Sequence, residues 1–570
     1  MRWTLRPKSH SDKVKHLSDT LQVNHVLAQL LLHRGVETFE QAKIFFRPDW
    51  DQLHDPFLMK DMDKAVQRIE QALKDGERIL VFGDYDVDGT SSVAMMYSFL
   101  SGLTSSVTTY IPDRYSEGYG VSLEGINYAS DNGISLIIAL DCGIKAMEQV
   151  KYAKEKGIEF IICDHHLPGE QLPDAVAVLD PKREDCPYPY KELCGCGVGF
   201  KLIQALTNNE ANAQDLLSPF LDLVATAIGA DIVPLTGENR VLMALGLKQI
   251  RNNPRPGIKA LQIKAGKRVS TVSDVVFLLA PRINAAGRMK HGNEAVRLLS
   301  TTQTEAALAC AEEIETFNRD RKEADAQITQ EALTQIKDLK EEDRWSTVVY
   351  DPDWHKGVIG IVASRLIETY YRPTVVFTKS GDKLAASVRS VRGFDVHNAL
   401  EQCADLMLQF GGHKYAAGLT LDPDNYQAFK ERFEEVVRSS IPAECRQPEL
   451  TIDQMLDLED IDAKFYRILK QFAPFGPANN SPVFASDQLS LSEQARQVGA
   501  DKSHLKVSIV QGKSGKLEGI GFGLGDKLEL VNSGSGFRAA YSLDENHWNG
   551  KTTIQLKIKD IKPVEDLGRS

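Results

Sequence analysis

The amino-acid sequence predicts a multidomain α/β protein, in which a parallel-sheet domain is joined by a long helix to a second α/β domain and then to a small antiparallel β-domain. Three patterns indicate this. Strand-length apolar runs alternate with helical stretches after residue 77, residues 301–345 contain neither glycine nor proline, and polarity alternates within segments after residue 446. A chain of 570 residues, at about 150 per domain, suggests about four domains, or three with one enlarged.

The first domain is predicted from continuous apolar runs of strand length. Arg78–Phe82, Ser135–Leu140 and Glu159–Ile162 are bounded by Gly or Asp, as strands buried on both faces of a sheet are. Ser91–Leu100 and Ala146–Lys156 are helix candidates between them. This βαβ repetition predicts a parallel sheet.

Residues 301–345 predict one long helix, or two joined end to end. Forty helical residues would span roughly 60 Å, which is enough to hold two domains apart with a cleft between them. The apolar positions that recur at helical spacing are Leu308, Ala311, Ile314, Phe317, Ala324, Ile328, Ile336 and Leu339.

A second α/β pattern follows the long helix. Thr347–Tyr350 and Thr374–Phe377 read as strands on either side of the helical stretch Gly360–Tyr370, and Leu384–Val388 reads as a further strand. After it, alternating segments such as Leu505–Ile509 predict a small antiparallel barrel or sandwich. The expected division of the chain is a segment 1–75 that packs on the first α/β domain, that domain at 76–300, the helix at 301–345, the second domain at 346–445 and the β-domain at 446–570.

Composition and charge limit the classes of function. With 42% hydrophobic and 26% charged residues, the chain has the composition of an ordinary globular protein, which excludes disordered and collagen-like classes. The net charge of -12 gives no global positive field for binding nucleic acid. Any polyanion must therefore bind to local basic patches.

The N-terminus and the cysteines indicate the compartment. The start, MRWTLR, has no apolar stretch behind it, and the longest apolar run is far too short to cross a bilayer, so we expect a cytoplasmic location. The 8 cysteines form no paired CxxC spacing, and we expect reduced thiols. Cys194 and Cys196 alone are weak support for a metal site.

Three carboxylates at alternate positions follow the first predicted strand. Asp84, Asp86 and Asp88 precede Gly89, and a cluster of like charges is unfavourable without a cation. An EF-hand loop begins in the same way but needs an acidic residue at its twelfth position, where this chain has Met95. A solvated acidic turn is the alternative for this motif taken alone.

Carboxylates and imidazoles also follow the next predicted strands. Asp141 comes after the second, Asp164, His165 and His166 after the third, and Asp231 after an apolar stretch. Because ligands of a parallel sheet bind beyond the carboxyl ends of its strands, these groups are expected to converge. Such a set suits two Mn²⁺ or Mg²⁺ ions that promote in-line attack of water on phosphorus. His166 either hydrogen-bonds a neighbouring ligand or contacts the phosphate directly.

Two later segments supply cations and phosphate-compatible backbone. Arg282–His291 has four basic or imidazole side chains and no acidic residue, and Gly411–Gly418 has glycines that allow close approach of an anion. Arg389 and Arg392 add guanidinium groups suited to bidentate phosphate contact. A plain tight turn and solvated surface charges are the alternatives.

Several motifs, in order, resemble those of the DHH phosphoesterase superfamily, and within it the bacterial exonucleases specific for single-stranded DNA. The resemblance covers nearly the whole chain and implies a metal-binding DHH domain, a DHH-associated domain after the long helix, and a C-terminal barrel similar to an OB-fold. The motifs are Asp84–Gly89, Arg114–Gly120, Asp141–Gly143, Asp164–His166, Gly229–Asp231, Arg282–Met289 and Gly411–Gly418.

The resemblance also implies roles for individual residues. Asp141 would bridge two Mn²⁺ or Mg²⁺ ions and, with His166 at the scissile phosphate, form the catalytic pair. The implied metal ligands are Asp84, Asp86, Asp88, Asp141, His165 and Asp231, of which Asp84 is the least central. The implied substrate contacts are Arg114, Arg282, Asn284, Arg288, Arg389 and His413, and which of them meets the 5′ phosphate is left open.

The implied reaction is two-metal-ion hydrolysis of single-stranded DNA from the 5′ to the 3′ end, releasing 5′ mononucleotides, in DNA repair and recombination. A cleft under the long helix would exclude duplex sterically. A DNA helicase and a single-strand-binding protein are the expected partners. Some relatives carry a further C-terminal domain, and interactions that depend on it are not expected here. The barrel residues Lys506, Lys557, Lys559, Phe537, Tyr541 and Trp548 either bind the strand by charge and stacking or, for the aromatics, belong to the core.

Two alternative functions are considered. The first is a DHH-type phosphoesterase that acts on short oligonucleotides or cyclic dinucleotides, and such relatives usually lack the barrel and the long N-terminal segment. The second is a DHH-fold binding subunit that has lost metal ligands, whereas every expected ligand position is filled here. Both features favour the exonuclease.

Overall fold

The computed structural model describes residues 1–548 and 550–564, and the side chain of Trp548, one of the predicted stacking residues, lies outside this description. The chain forms two compact units. One contains residues 53–233 and 237–448, and the other contains residues 1–52, 234–236 and the C-terminal segment from Glu449. Within the described ranges, no helix is both long enough and apolar enough to cross a membrane.

The N-terminal segment contributes to the core of the C-terminal domain. Leu17 and Leu27 are each 1% exposed and pack in one cluster with Phe472 and Phe484. This grouping corrects the expectation that all of residues 1–75 pack on the first α/β domain, because an amphipathic pattern shows which face of a helix is buried but not what covers it. The elements are β1 (Arg2–Leu5), α1 (Ser11–Leu21), α2 (His25–Leu32), α3 (Phe39–Phe46) and, in the other unit, α4 (Met62–Asp75).

The predicted parallel sheet is confirmed, with strand order β3-β2-β4-β5-β6. Every residue of β2 and β4 is buried, as continuous apolar runs require. The carboxyl ends of these strands therefore lie along one edge. The elements are β2 (Ile79–Gly83), α5 (Val87–Ser101), β3 (Val107–Tyr110), α6 (Leu123–Asp131), β4 (Leu136–Leu140), α7 (Met147–Glu155), β5 (Glu159–Cys163) and β6 (Ala177–Leu179).

A group of helices completes this domain. The apolar stretch before Asp231 forms helix α10, and Asp231 is the last residue of this helix and does not follow a strand. A π-helical segment, Val275–Leu279, leads into α14. The elements are α8 (Gly195–Leu206), α9 (Ala213–Leu217), α10 (Leu221–Asp231), α11 (Gly237–Asn252), α12 (Pro256–Ala265), α13 (Val272–Asp274), α14 (Ala280–Met289) and α15 (Asn293–Ser300).

A fully buried ion pair joins α8 to α11. Lys201 Nζ lies 3.0 Å from Glu238 Oε1, and both side chains are 0% exposed. Glu238 also accepts hydrogen bonds from the Tyr188 hydroxyl at 2.6 Å and from the His54 N–H at 2.9 Å. Each buried charge therefore has an opposite charge beside it as long as neither residue is replaced.

Glu238→Ala is expected to lower the free energy of unfolding by about 3–5 kcal/mol, because it leaves the Lys201 ammonium buried without its counter-ion. The control is Asp405→Ala, since the Asp405–Arg432 pair is exposed and is expected to contribute at most about 1 kcal/mol. Urea denaturation followed by circular dichroism measures both variants. Equal losses would contradict the structural importance of the buried pair.

The long helix is a single element, α16 (Thr304–Asp338), 35 residues in length. It spans about 50 Å at 1.5 Å per residue. Its neighbours include α12, α14 and α15 of the first α/β domain and, further along, the strand and helix that open the second domain. One continuous helix therefore connects the two α/β domains.

The second α/β domain has strand order β10-β11-β9-β8-β7, in which β7 and β8 are parallel and the other neighbours antiparallel. The glycine-rich segment Gly411–Gly418 is a hairpin at the edge of this sheet, and Gly412 has φ +144°. The elements are β7 (Thr347–Tyr350), α17 (Ile359–Thr369), β8 (Thr374–Ser380), β9 (Lys383–Arg389), α18 (Val396–Glu401), β10 (Gln409–His413), β11 (Ala416–Leu421) and α19 (Tyr426–Ser440).

The C-terminal domain has an OB-like fold, as predicted. The strand β14 pairs with β15 on one side and β17 on the other, and β16 joins β15 to β18, which pairs with β17. Phe537 and Tyr541 are 1% and 0% exposed, so they belong to the core and not to a stacking surface. The elements are β12 (Glu449–Ile452), β13 (Gln454–Met455), α20 (Ala463–Lys470), β14 (Phe484–Val498), β15 (His504–Val510), β16 (Leu517–Gly521), α21 (Leu528–Asn532), β17 (Phe537–Trp548) and β18 (Lys551–Pro563).

Candidate active site

Buried carboxylates line the carboxyl edge of the parallel sheet. Asp84 follows β2, Asp141 follows β4 and Asp164 follows β5, and their exposed fractions are 1%, 2% and 1%. The predicted convergence of these strand-end residues is what the parallel topology produces. Their burial concentrates negative charge in a region of low dielectric.

The N-terminus of α8 meets this edge. Asp88 accepts hydrogen bonds from the N–H groups of Gly195 and Cys196, both at 2.7 Å. A Cβ atom at Gly195 would lie 2.5 Å from Cβ of Asp141, so only glycine allows the helix to approach this closely. The helix N-terminus thereby fixes Asp88 beside Asp141.

Asp141 has an unusual backbone. Its φ is +60°, in the left-handed region, while its N–H donates to the carbonyl of Cys163 at 2.8 Å. Non-glycine residues in this region are uncommon and concentrate at functional sites. The conformation directs the Asp141 carboxylate to His165, whose Nε2 lies 3.1 Å from Oδ1.

His165 Nε2 is the centre of the cluster. It lies 3.7 Å from Asp231 Oδ2 and 3.9 Å from Asp88 Oδ2. Two overlapping groups have ligand atoms close enough to share an ion, namely Asp141 with His165 and His166, and Asp88 with His165 and Asp231. Oxygen-rich sets with an imidazole suit Mn²⁺ and Mg²⁺.

Buried atoms without hydrogen bonds provide a test of whether metals fit here. Asp84 Oδ1, Asp141 Oδ1, His165 Nε2 and Asp231 Oδ2 are buried and have no hydrogen-bond partner in the described part of the chain. Buried polar atoms without a hydrogen-bond partner are rare in folded proteins, and each of them requires an explanation. Asp141, His165 and Asp231 belong to the possible ligand groups, so bound divalent cations would satisfy their atoms, and the residues present fit the metals.

The pKa values of the carboxyls also indicate that the cluster is suited to cations. Burial, followed by the charges of Asp88 and Asp86, raises the pKa of Asp141 well above its usual range. Burial also raises the pKa of Asp88 to about 7 and that of Asp231 to about 8. These carboxyls are therefore poorly ionised unless a cation is present.

The imidazole of His165 stays neutral. Burial and the neighbouring His166 lower the pKa of His165 to about 3. A neutral imidazole keeps a lone pair available for a metal, which is the form that ligating histidines need.

Asp164 and His166 form a separate pair. His166 Nδ1 lies 2.7 Å from Asp164 Oδ1, and Asp164 also accepts from the N–H of Ile144 at 2.9 Å. Burial is the largest influence and opposes ionisation of Asp164, but the hydrogen bond and charge of His166, together with the N–H of Ile144, lower the pKa of Asp164 to about 2. Burial likewise opposes the charged form of His166, but Asp164, with the charges of Asp231 and Asp88, raises the pKa of His166. Asp164 thus orients His166 and stabilises its cation.

The remaining two carboxylates of the first motif lie at the border of the cluster. Asp86 is half-buried and caps α5 by accepting from the Gly89 N–H at 3.0 Å, and its charge contributes to the raised pKa of Asp141. Burial, followed by the charge of Asp86, raises the pKa of Asp84, whereas the positive charge of Arg114 lowers it. The charges of both Asp86 and Arg114 therefore act on Asp84.

Three of the predicted substrate residues form an arginine cluster, defined as Arg114, Arg288 and Arg389. Burial, and then the positive charges of Arg114 and Arg389, lower the pKa of Arg288 to about 10. Arg288 donates to the carbonyl of Gly357 at 2.8 Å, and the Arg114 guanidinium lies 4.0 Å from the centre of the Tyr85 ring. Guanidinium groups whose positive charges act on one another are suited to binding an anion.

The other predicted substrate residues lie differently. Arg282 forms a two-point ion pair with Glu315 of α16, at 2.6 and 3.3 Å, so its guanidinium connects two helices. Asn284 is half-buried on α14, one turn before Arg288. His413 is exposed on the edge hairpin and, at about 4.8 Å per strand, lies about 10 Å from Arg389 across β11.

Sequence analysis missed three residues near the site. Asp180 follows β6 and is fully buried, and burial raises its pKa to about 7. The sequence contained a signal for Asp180, because this residue follows an apolar run, as Asp84, Asp141 and Asp164 do. Tyr119 contacts His166 and lies within the Arg114–Gly120 motif, but the sequence analysis gave it no role. The positive charge of Arg321, on α16, acts on Arg288, and Arg321 belongs to none of the motifs.

Comparison with protein families identifies the class. The profile described as "DHH family, N-terminal domain" matches residues 78–228, "DHHA1 domain" matches 345–439 and "RecJ OB domain" matches 452–560. Together with the metal-compatible site at the sheet edge, these matches define a DHH-class phosphoesterase.

Curated relatives are similar over almost the whole chain. A single-stranded-DNA-specific exonuclease RecJ of Bacillus subtilis is 37% identical over 99% of this chain and 71% of its own length. The corresponding Escherichia coli protein is 36% identical over 95% of this chain and 96% of its own length. The chain therefore belongs to the RecJ family of single-stranded-DNA-specific exonucleases.

Solved structures agree with the fold. A crystal structure of RecJ from Thermus thermophilus in complex with Mn²⁺ matches with a TM-score of 0.84 at 29% identity, covering 98% of this chain and 79% of that chain. The same protein in complex with Mg²⁺ matches with a TM-score of 0.78 at 27% identity, covering 98% and 78%.

Proposed function

We propose that this chain is a metal-dependent exonuclease that hydrolyses single-stranded DNA from the 5′ to the 3′ end and releases 5′ mononucleotides, in DNA repair and recombination. The observation that carries the proposal is the convergence of Asp88, Asp141, His165 and Asp231, with unpartnered buried ligand atoms, at the carboxyl edge of the sheet. Family membership supports the substrate class.

The proposed division of roles follows the contacts. When bound, two Mn²⁺ or Mg²⁺ ions would supply Lewis acidity and lower the pKa of water. His165 belongs to both possible ligand groups and Asp141, whose Oδ1 lies 3.1 Å from His165 Nε2, to one of them, so both residues would hold the ions. His166, held by Asp164, would donate a charged hydrogen bond to the scissile phosphate. The proposed metal-holding residues are Asp84, Asp86, Asp88, Asp141, His165 and Asp231.

The arginine cluster is proposed to bind phosphates at the 5′ end of the strand. Its guanidinium groups come from the first α/β domain and from β9 of the second, so a strand bound there contacts both domains. Arg282 is the least suited of the predicted contacts, because Glu315 already neutralises it. Asn284 and His413 are proposed to contact the strand further along.

The OB-like domain offers an exposed aromatic residue that the sequence analysis did not name. Phe522 is 58% exposed, and it lies 5.2 Å from the His504 ring and 6.0 Å from Lys557 Nζ. Lys506 and Lys557 lie on either side of Ile520 in the sheet. This combination of an aromatic face and cations is suited to stacking and charge contact with an unpaired strand.

Phe522→Ala is therefore expected to weaken binding of a long single strand by about 1–3 kcal/mol, which is the contribution of one base–aromatic stack. The matched control is Phe277→Ala, because Phe277 is also exposed, at 77%, but lies in the other unit. Fluorescence anisotropy with a labelled oligonucleotide measures both. Equal effects would contradict a binding role for Phe522.

The main proposal is tested by digestion of 5′-labelled single-stranded DNA, blunt duplex and a dinucleotide with Mn²⁺, beside Asp141→Ala. We expect mononucleotide release from the single strand only, and none from the variant. Cleavage of duplex at the same rate, or activity that survives Asp141→Ala, would overturn the proposal. Cleavage of the dinucleotide alone would favour a short-oligonucleotide phosphoesterase.

Three further points stay predictions. A DNA helicase and a single-strand-binding protein are the proposed partners, since an exonuclease of this specificity needs unwound DNA. A cytoplasmic location is proposed because the proposed substrate is the cell's own DNA. The proposed domain division is as expected from the sequence, except that residues 1–52 group with the C-terminal domain.

A further inference from the structure

Tyr119 is an exposed aromatic residue next to the candidate metal site. It lies in the loop before α6, and 57% of its surface is exposed. Its ring meets the His166 ring edge to face at 5.8 Å, and it meets the Tyr85 ring in the same manner at 6.5 Å. None of the roles assigned above uses it.

The hydroxyl of Tyr119 contacts two parts of the site. It lies 3.1 Å from His166 Nε2 and 3.3 Å from His166 Nδ1, and it donates a long hydrogen bond of 3.4 Å to the main-chain carbonyl of Asp141. His166 Nδ1 also lies 2.7 Å from the carboxylate of Asp164. The phenol oxygen thus packs against the imidazole at nearly equal distance from its two nitrogens, and together with Asp164 it limits how the ring can turn.

The ring of Tyr119 lies between the two halves of the proposed substrate path. On one side is His166 with the metal-compatible cluster, and on the other is Tyr85, over which the Arg114 guanidinium stacks at 4.0 Å. A strand anchored at the arginine cluster and cleaved at the metal site must pass this ring. An exposed aromatic face in that position is a stacking surface for a base.

We propose that Tyr119 is a positioning residue, whose hydroxyl orients His166 and whose ring stacks against the terminal nucleotide of the strand. The proposal rests on the proposed function, because it assumes a nucleic-acid strand between the arginine cluster and the metal site. It adds a second contact that fixes where the scissile phosphate lies relative to the 5′ end.

Two substitutions separate the two contacts. Tyr119→Phe removes only the hydroxyl, and we expect kcat to fall about 3- to 10-fold, the value of one hydrogen bond, with KM within about twofold. Tyr119→Leu also removes the ring, and we expect KM to rise about tenfold as well. The matched controls are Tyr128→Phe and Tyr128→Leu, because Tyr128 is 37% exposed and packs on Tyr110, away from the site.

Binding without turnover tests the ring independently of cleavage. In the Asp141→Asn background, a 5′-phosphorylated oligonucleotide with a normal first nucleotide is compared with one that is abasic there. We expect the parent and Tyr119→Phe to prefer the normal strand about tenfold, and Tyr119→Leu to lose the preference. Thermal unfolding of each variant shows whether it is folded.

The outcomes distinguish this inference from the proposed function. A parent protein that neither cleaves nor binds the strand overturns both. A parent that binds the strand, together with a Tyr119→Leu variant that keeps the tenfold preference, overturns the role of Tyr119 alone. A Tyr119→Phe variant with unchanged kcat overturns the contact with His166.

Discussion

Asp141→Asn is expected to remove metal-dependent cleavage of single-stranded DNA while raising the thermal stability of the metal-free protein. Changes outside the ligand shell of a metal already cost about 10- to 100-fold, so loss of a central ligand is expected to cost at least about 1,000-fold in kcat. Asparagine is nearly isosteric with aspartate and tolerates the positive φ at this position. The variant should therefore fold.

The stability gain follows from the sign of the pKa shift. Burial and the neighbouring carboxylates raise the pKa of Asp141 in the folded state, so its ionisation opposes folding at pH values above the unfolded pKa. Below that value the carboxyl is protonated in both states and opposes nothing. The advantage of asparagine should thus be small at acidic pH and grow toward neutral pH.

Melting temperatures measured in EDTA at pH 4.5 and 7.5 test this sign. A gain of about 1 kcal/mol at neutral pH would raise Tm by about 2–4 °C. Mn²⁺ should raise Tm of the parent and have much less effect on the variant. Asp131→Asn, at the exposed end of α6, is the control and should change none of these values. A parent that Mn²⁺ fails to stabilise would contradict the metal site.

The first α/β domain was predictable because its signal is local. Strands such as Leu136–Leu140 are apolar along their whole length, and a chain with that pattern must bury both faces of the strand. Parallel topology then brings the residue after each strand to one edge, so Asp84, Asp141 and Asp164 could be grouped without coordinates. Asp180 has the same signal in a shorter run, and the shortness of β6 explains why it was missed.

Contacts between distant parts of the chain were not predictable. The helices α1 and α2 carry apolar faces, but nothing in their sequence says that Phe472 and Phe484 cover them. Tyr119 lies within the Arg114–Gly120 motif, but its contact with His166 could not be predicted, because that contact depends on the path of a loop. A sequence pattern shows which side chains are buried, whereas the residues that they contact depend on the tertiary fold.

The contacts of Arg282 and Arg288 were also not predictable from the sequence, although both residues lie in one helix. Both lie on α14, six residues apart, and both were predicted to contact substrate. The structure separates them, because Arg282 pairs with Glu315 whereas Arg288 lies among Arg114, Arg389 and Arg321. The positive charge of Arg282 is therefore neutralised by Glu315, whereas that of Arg288 adds to the positive charges of other arginines.

Arg288→Met is therefore expected to weaken binding of single-stranded DNA by about 10- to 100-fold and to reduce its salt dependence. Each phosphate contact with a single strand contributes about 0.7 to the slope of log K against log salt, so the slope should fall by about 0.7. Arg282→Met should leave the slope unchanged, because that guanidinium already has its counter-charge in Glu315.

Both variants are measured in the Asp141→Asn background, so that the strand stays intact. Fluorescence anisotropy at about 50 to 200 mM salt gives the dependence of binding on salt. Arg282→Met should instead lower the midpoint of urea unfolding, because it breaks the link between α14 and α16. The reverse result, with a smaller slope for Arg282→Met and an unchanged slope for Arg288→Met, would mean that the ion pair with Glu315 opens when the strand binds. In that case the strand would bind along α16, and the arginine cluster would stabilise the second α/β domain instead of binding DNA.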